Sequence, residues 1–277
     1  MTEIEFVEKI SNLFIEKGWH NANVYKNSLK NMLCISSKMS EDEREMFYSL
    51  TEKFIKVPIS LYPKEIMDNI QRIPDEWLIG KKSLHILPLL DPKDEGKKTK
   101  SSIHMTYYFR TDEINMHEKF RGIRLYFDEE DRILDDMKQK KAKKRCLIML
   151  VDDFIGSGET TFKCLEKKLK KFEIDESKVI VFSLYTMKMA LSKLQEKGIR
   201  IVPGKILQQG ISSISNDETR EKYKECMENV ENQIDVPEKY RFGYGRSESL
   251  ISLGRTPNNT FPIYWQPHKN TPPFERK

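Results

Sequence analysis

The 277-residue sequence has no stretch approaching the roughly 18 consecutive apolar residues that a membrane-spanning helix requires. Its opening, MTEIEFVEKI, has neither the basic region nor the apolar run of a secretory leader. The expectation is a cytoplasmic protein with no membrane partner. Cysteine is scarce: Cys34, Cys146, Cys164 and Cys226 stand far apart, with no CxxC pair and no Cys/His group at zinc-ligand spacing. A disulfide scaffold and a zinc module are both excluded, and reduced thiols are expected. His20, His85, His104, His117 and His268 show no ligand spacing either. A GxxxxGK[ST] loop is missing, and the one Gly-Ser-Gly segment does not match GxGxxG, so P-loop ATP hydrolysis and dinucleotide binding are disfavoured. No repeat of about 20–50 residues is present.

What the chain does have is charge. Asp, Glu, Lys and Arg make up 33% of it, with 48 basic against 43 acidic residues and a formal charge of +5. This mildly basic balance admits phosphate-rich partners without demanding nucleic acid. A hydrophobic content of 38% with 10% aromatics is more than a disordered chain carries. The length suits one large domain or two modest ones.

Residues 1–75 read as helical. Ile4, Val7, Ile10, Leu13 and Phe14 recur at helical spacing and stop at Gly18, while Thr2 with Glu5 can form a capping box. Ser40 with Glu43 signals a second start, followed by Met46, Phe47, Leu50 and Phe54. No catalytic chemistry is visible here, and the expectation is a helical cap, with a protein partner as the alternative role. From about residue 82 the pattern changes to short β-rich runs at 84–90, 103–109, 123–127 and 147–151. Beyond them a helix (160–172), a strand (179–185), a helix (187–196) and a strand (199–202) alternate, as in parallel βαβ units. The expected fold is α/β, a parallel sheet flanked by helices, occupying 76–277 behind the helical N-terminal region. Within it Tyr107, Tyr108 and Phe109 read as strand core. Near the end, burial of Phe261, Ile263, Tyr264 and Trp265 would tie the chain down. One biased segment, Lys138, Lys140, Lys141, Lys143, Lys144 and Arg145, reads as a solvated loop or helix end and, secondarily, as a nucleic-acid contact.

One segment carries chemistry: CLIMLVDDFIGSGETTFKCLEKKL, residues 146–169. An apolar strand ends in Asp152 and Asp153, and Gly156, Ser157 and Gly158 then lead into a helix opened by Thr160 and Thr161. Small residues let backbone N–H groups converge, the helix dipole adds partial positive charge, and the Ser157, Thr160 and Thr161 hydroxyls add donors. A phosphate is the natural guest. Adjacent carboxylates repel it, so they fit one step away, on neutral hydroxyls or on a metal the phosphate shares. A ribose 5-phosphate meets both demands, with Asp152 or Asp153 accepting from ribose hydroxyls and Mg²⁺ bridging the same hydroxyls to a pyrophosphate. The alternative is an acid pair serving another α/β function beside an ordinary Gly-Ser-Gly turn.

VDDFIGSGET resembles the phosphoribosyl-pyrophosphate signature of type I phosphoribosyltransferases. The resemblance matches Asp152 and Asp153 to the acid pair, which would orient the ribose and meet the metal through ribose or water, and Gly156, Ser157, Gly158, Glu159 and Thr160 to the 5′-phosphate loop, with Thr161 beside it. It implies a transferase that takes phosphoribosyl pyrophosphate or a related phosphorylated ribose with Mg²⁺. It also implies a pyrophosphate clamp after an earlier strand, for which the candidates are Lys98, Lys100, Ser101 and Ser102, with Arg110 beyond them. Together with the terminal TPNNTFPIYW, the acid loop resembles phosphoribosyltransferase-like proteins of bacterial conflict and antiphage defence loci, some retron-associated. From this narrower likeness Asn258, Asn259 and Trp265 become candidates for the acceptor side, against a structural turn and core anchor. A non-catalytic sensor of a nucleotide or sugar phosphate, using the same pocket, is the competing function.

Overall fold

The computed structural model describes residues 1–21, 23–94, 101–266, 272–274 and 276, and for residues 21 and 23–26 the backbone alone. The chain divides into two compact units, one of residues 1–57 with 208–277 and the other of 58–207.

The second unit holds the sheet. Six parallel strands build it: β1 (Ser83–Pro88), β2 (Arg124–Phe127), β3 (Cys146–Ile155), β4 (Val179–Met187), β5 (Arg200–Val202) and β6 (Lys205–Leu207). Their order is β2-β1-β3-β4-β5, and β6 continues the pairing along β4. Strand β3 is apolar without interruption from Cys146 to Val151 and buried throughout that run, as a central strand covered on both faces must be. Each connection from β1 through β5 carries a helix, including Glu130–Lys138, Glu159–Phe172 and Lys188–Glu196. The expected α/β class is what the chain adopts.

The first unit is mainly helical: Glu3–Glu16, Asn23–Ser36, Glu41–Glu52 and Asp217–Gln233, with a short parallel pair, Ile55–Lys56 against Ile251–Ser252. Both capping boxes form, Thr2 with Glu5 and Ser40 with Glu43. The buried stripe of the first helix is Phe6, Ile10, Leu13 and Phe14, whereas Ile4 and Val7 are exposed. Phe47, Phe54, Tyr264 and Phe274 pack ring against ring in this core, and the buried Tyr264 hydroxyl lies 3.0 Å from Thr51 Oγ1.

The contact division at 57 and 207 places Phe261, Ile263, Tyr264 and Phe274 in the same core as the first three helices. One sequence expectation changes. The run 103–109 is not a strand but the helix Ser101–Phe109. Its β-forming residues mask a helical spacing, since Ser102, Met105, Thr106 and Phe109 are the buried positions and Tyr107 is exposed. The basic segment forms a short helix, Lys140–Arg145, with none of its residues buried.

Candidate functional site

With the order β2-β1-β3-β4-β5, chain direction along the sheet reverses between β1 and β3, and the crevice outside the carboxyl ends of those two strands is where open α/β sheets bind ligands. The acid pair lies there. Strand β3 does not end at Val151 as its apolar run suggests: it continues through the acids to Ile155. The reason lies in its neighbours. Pairing with β1 stops at Pro88 opposite Val151, while pairing with β4 goes on, Asp152 opposite Ser183 and Phe154 opposite Tyr185. At Asp152 the strand is therefore held on one side and open on the other.

Across that opening comes the segment after β1. Ser101, at the start of the helix Ser101–Phe109, donates from Oγ to Asp152 Oδ1 at 3.3 Å, and the Asp153 backbone N–H donates to the same oxygen at 2.9 Å. Asp153 is buried and its Oδ2 accepts from the Tyr62 hydroxyl at 2.7 Å. The Tyr62 and Tyr108 rings stand 5.9 Å apart, so the helices Tyr62–Ile70 and Ser101–Phe109 meet over the acids. Burial pushes the Asp152 carboxyl well above the usual carboxylate range, and the neighbouring charge of Asp153 pushes it the same way. Both causes act against carrying two full negative charges side by side. A cation or a ring of hydroxyl donors arriving between them stabilises the fully ionised pair.

Behind the acids, Gly156, Ser157 and Gly158 are buried and the helix Glu159–Phe172 begins. Gly158 is its N-cap at φ +83°, a left-handed position that suits glycine, and this N-cap residue has no side chain to cap the helix. The Glu159 N–H donates to Ser157 Oγ at 3.5 Å, and the helix N-terminus beside it is a place that suits an anion. Thr160 is exposed and Thr161 buried, so of the two hydroxyls Thr160 faces solvent. Glu159 is exposed.

Among the candidates for a pyrophosphate clamp, Lys98 and Lys100 lie outside the described residues. Ser101 reaches the acid pair, and Ser102 is buried beneath its helix. Arg110 sits at the carboxyl edge of β2, where it pairs with Asp128 at 3.4 Å and lies over the Phe127 ring. Asn258, Asn259 and Trp265 belong to the other unit. Asn259 Nδ2 donates to Tyr244 O at 3.0 Å, the Asn258 carbonyl accepts from the Tyr244 N–H, and the Trp265 indole donates to Thr260 O at 2.6 Å. These contacts make a braced turn and a core anchor. Tyr62 and Tyr108 are the residues that sequence reasoning missed. The only signal was Tyr62-Pro63, a helix-opening dipeptide within a segment with no visible chemistry.

Among the described residues no group of three or more His, Cys, Asp and Glu side chains could hold a metal ion, and no described helix is long and apolar enough to cross a membrane. No curated protein sequence matches the chain. Among solved structures, a hypothetical protein from Thermus thermophilus is similar at 11% identity and a TM-score of 0.30, over 74% of this chain and 43% of that one. The present chain therefore spans less than half the length of that protein. The PRTase-CE family model matches residues 26–276, a span that takes in the acid pair, the Gly-Ser-Gly loop and the whole sheet, and the chain belongs to this phosphoribosyltransferase-type family.

Proposed function

We propose that the pocket binds phosphoribosyl pyrophosphate with Mg²⁺ and transfers its ribose 5-phosphate to an acceptor. One observation carries this reading: an acid pair at the open carboxyl end of the central strand, followed at once by a helix N-terminus behind a Gly-Ser-Gly turn. The 5′-phosphate is held by the first-turn N–H groups with Ser157 and Thr160, and the ribose hydroxyls donate to Asp152 and Asp153. Two carboxylates and the Ser101 hydroxyl are too few donors for an all-protein metal cage. They do fit an ion bound through one or two carboxylates and the oxygens of its substrate. Bound there, Mg²⁺ supplies charge neutralisation to the departing pyrophosphate. The chain's own task is to hold the ribose so that cleavage leaves positive charge near two carboxylates.

The test is pyrophosphate release from phosphoribosyl pyrophosphate with and without Mg²⁺, across nucleobase, nucleotide, oligonucleotide and protein acceptors. Release that needs Mg²⁺ and is lost in Asp153→Asn supports the transferase. Binding without release from any acceptor favours the second reading, a sensor. That reading has its own support: Tyr62 binds Asp153, so a ligand that takes this carboxylate frees the first turn of the helix Tyr62–Ile70 and links occupancy to the fold. A defence effector of the transferase type arrests growth when expressed without its regulator, and Asp153→Ala removes the arrest.

A further inference from the structure

The unit formed by residues 1–57 and 208–277 contains a cavity of about 630 Å³, a volume typical of small-molecule sites. It opens at the carboxyl ends of the two parallel strands of that unit, where Lys56 and Ser252 stand opposite each other in register. Three separate segments bring cations to it: Lys30 from the helix Asn23–Ser36, Lys56 from the end of its strand, and Arg255 from the turn after Ser252. Among its described lining residues there is no Asp or Glu. Burial lowers Lys56 to about 8, and its ammonium lies 4.2 Å from the Phe274 ring centroid. An anion beside Lys56 restores the charged form that burial disfavours. Arg255 adds a planar fork suited to phosphate oxygens. The remaining wall is apolar, from Leu253, Pro273 and Phe274.

We infer that this cavity is a second anion site, for an organic polyphosphate of the nucleoside di- or triphosphate class, with its phosphates on Lys30, Lys56 and Arg255 and its organic part on the Leu253–Phe274 wall. The three converging cations match the charge of such a chain of phosphates, and the apolar wall distinguishes the cavity from a site for inorganic ions. The site is independent of the acid pair and of the transferase reading.

Calorimetric titration of the full chain with ATP and, separately, with inorganic pyrophosphate, in EDTA to suppress binding at the acid pair, tests it. The expected result is saturable one-site binding of ATP, tighter than pyrophosphate, that weakens at least tenfold in Lys56→Gln/Arg255→Gln, stays within a few-fold of wild type in Lys56→Arg, and is unchanged in Asp152→Asn. Because Lys56 is partly buried, Lys30→Glu at an exposed position provides a second variant that leaves the core untouched, with the same tenfold weakening expected. The inference is overturned if neither probe binds at millimolar concentration, if both charge variants bind like wild type, if Asp152→Asn abolishes binding, or if a single-stranded oligonucleotide binds here in preference to ATP. Failure of the transferase reading shows separately, as loss of phosphoribosyl pyrophosphate turnover with ATP binding intact.

Discussion

Asp152→Asn separates what the acid pair does for the fold from what it does for a ligand. Asparagine keeps the oxygen that accepts from Ser101 Oγ and the Asp153 N–H, and it replaces the other carboxylate oxygen by a donor facing Asp153. What it removes is an ionisable group whose ionised form burial and Asp153 disfavour. A carboxyl raised in the folded state contributes stability that is complete below its unfolded value of 3.8 and is lost as pH rises through the folded value. The variant lacks that loss, so its advantage over wild type grows with pH. Relief of one under-compensated buried polar group is worth about 1–3 kcal/mol. At roughly 2–4 °C per kcal/mol for chains of this order, the ligand-free variant melts a few degrees above wild type at pH 8 and close to it at pH 4. The ligand response runs the other way. If the proposed function holds, phosphoribosyl pyrophosphate with Mg²⁺ at 100 times its Kd is expected to stabilise wild type by about 2.7 kcal/mol and to leave the variant unmoved. Differential scanning fluorimetry across pH, with and without ligand, reads both effects. A variant that melts below wild type at pH 8 would refute the argument that the carboxylate is held at a cost, and a retained ligand shift would refute its role in binding.

Three further outcomes follow from the geometry. Tyr62→Phe removes the hydroxyl from a buried carboxylate and is expected to cost about 1.5–3 kcal/mol in urea unfolding, with a larger fall in ligand affinity than in expression; a change under about 0.5 kcal/mol would show that the contact carries no energy. Two glycines with positive φ are expected to diverge: an added methyl at Gly204 lies 2.1 Å from Leu184 O, so Gly204→Ala disrupts the β5–β6 bend, whereas at Gly158 the nearest atoms stand 3.6 Å away and Gly158→Ala costs only the left-handed penalty of about 1–2 kcal/mol, a contrast that equal melting points would contradict. Glu231 is fully buried, its Oε1 takes the Phe242 N–H at 2.8 Å, and burial pushes its carboxyl up to about 7. Its contribution is full below 4.5 and fades as pH rises through 7, by up to roughly 3 kcal/mol, so Glu231→Gln flattens the stability profile between pH 5 and 8, and an unchanged slope would argue against this assignment.

The acid loop is legible in the sequence because its pattern is local. An apolar strand, two acids, small residues and an amphipathic helix occupy consecutive positions, so strand propensity, left-handed glycine and helix start specify one another without help from distant chain. The capping boxes at Thr2 and Ser40 are legible for the same reason. The helix Ser101–Phe109 reads as a strand because Ile103, Thr106, Tyr107, Tyr108 and Phe109 favour strands intrinsically, while burial against β1 and β3 selects the helical spacing instead. That choice is tertiary.

Contacts within a few residues of one another are enough to specify the α/β class, the central strand and the Gly-Ser-Gly turn into its helix. The remaining features depend on packing between distant segments. Strand order, which no local signal encodes, sets the acids at the point where β1 stops and β4 continues, and so opens one side of Asp152 to Ser101. Burial is the larger influence on the ionisation of Asp152, and burial is set by the packing around it, whereas the adjacent charge of Asp153 is already present in the sequence. Side-chain packing from more than 200 residues away assigns the chain's end to its beginning, where Phe54 needs Tyr264 and Phe274 to complete a core that the first three helices alone leave unfilled.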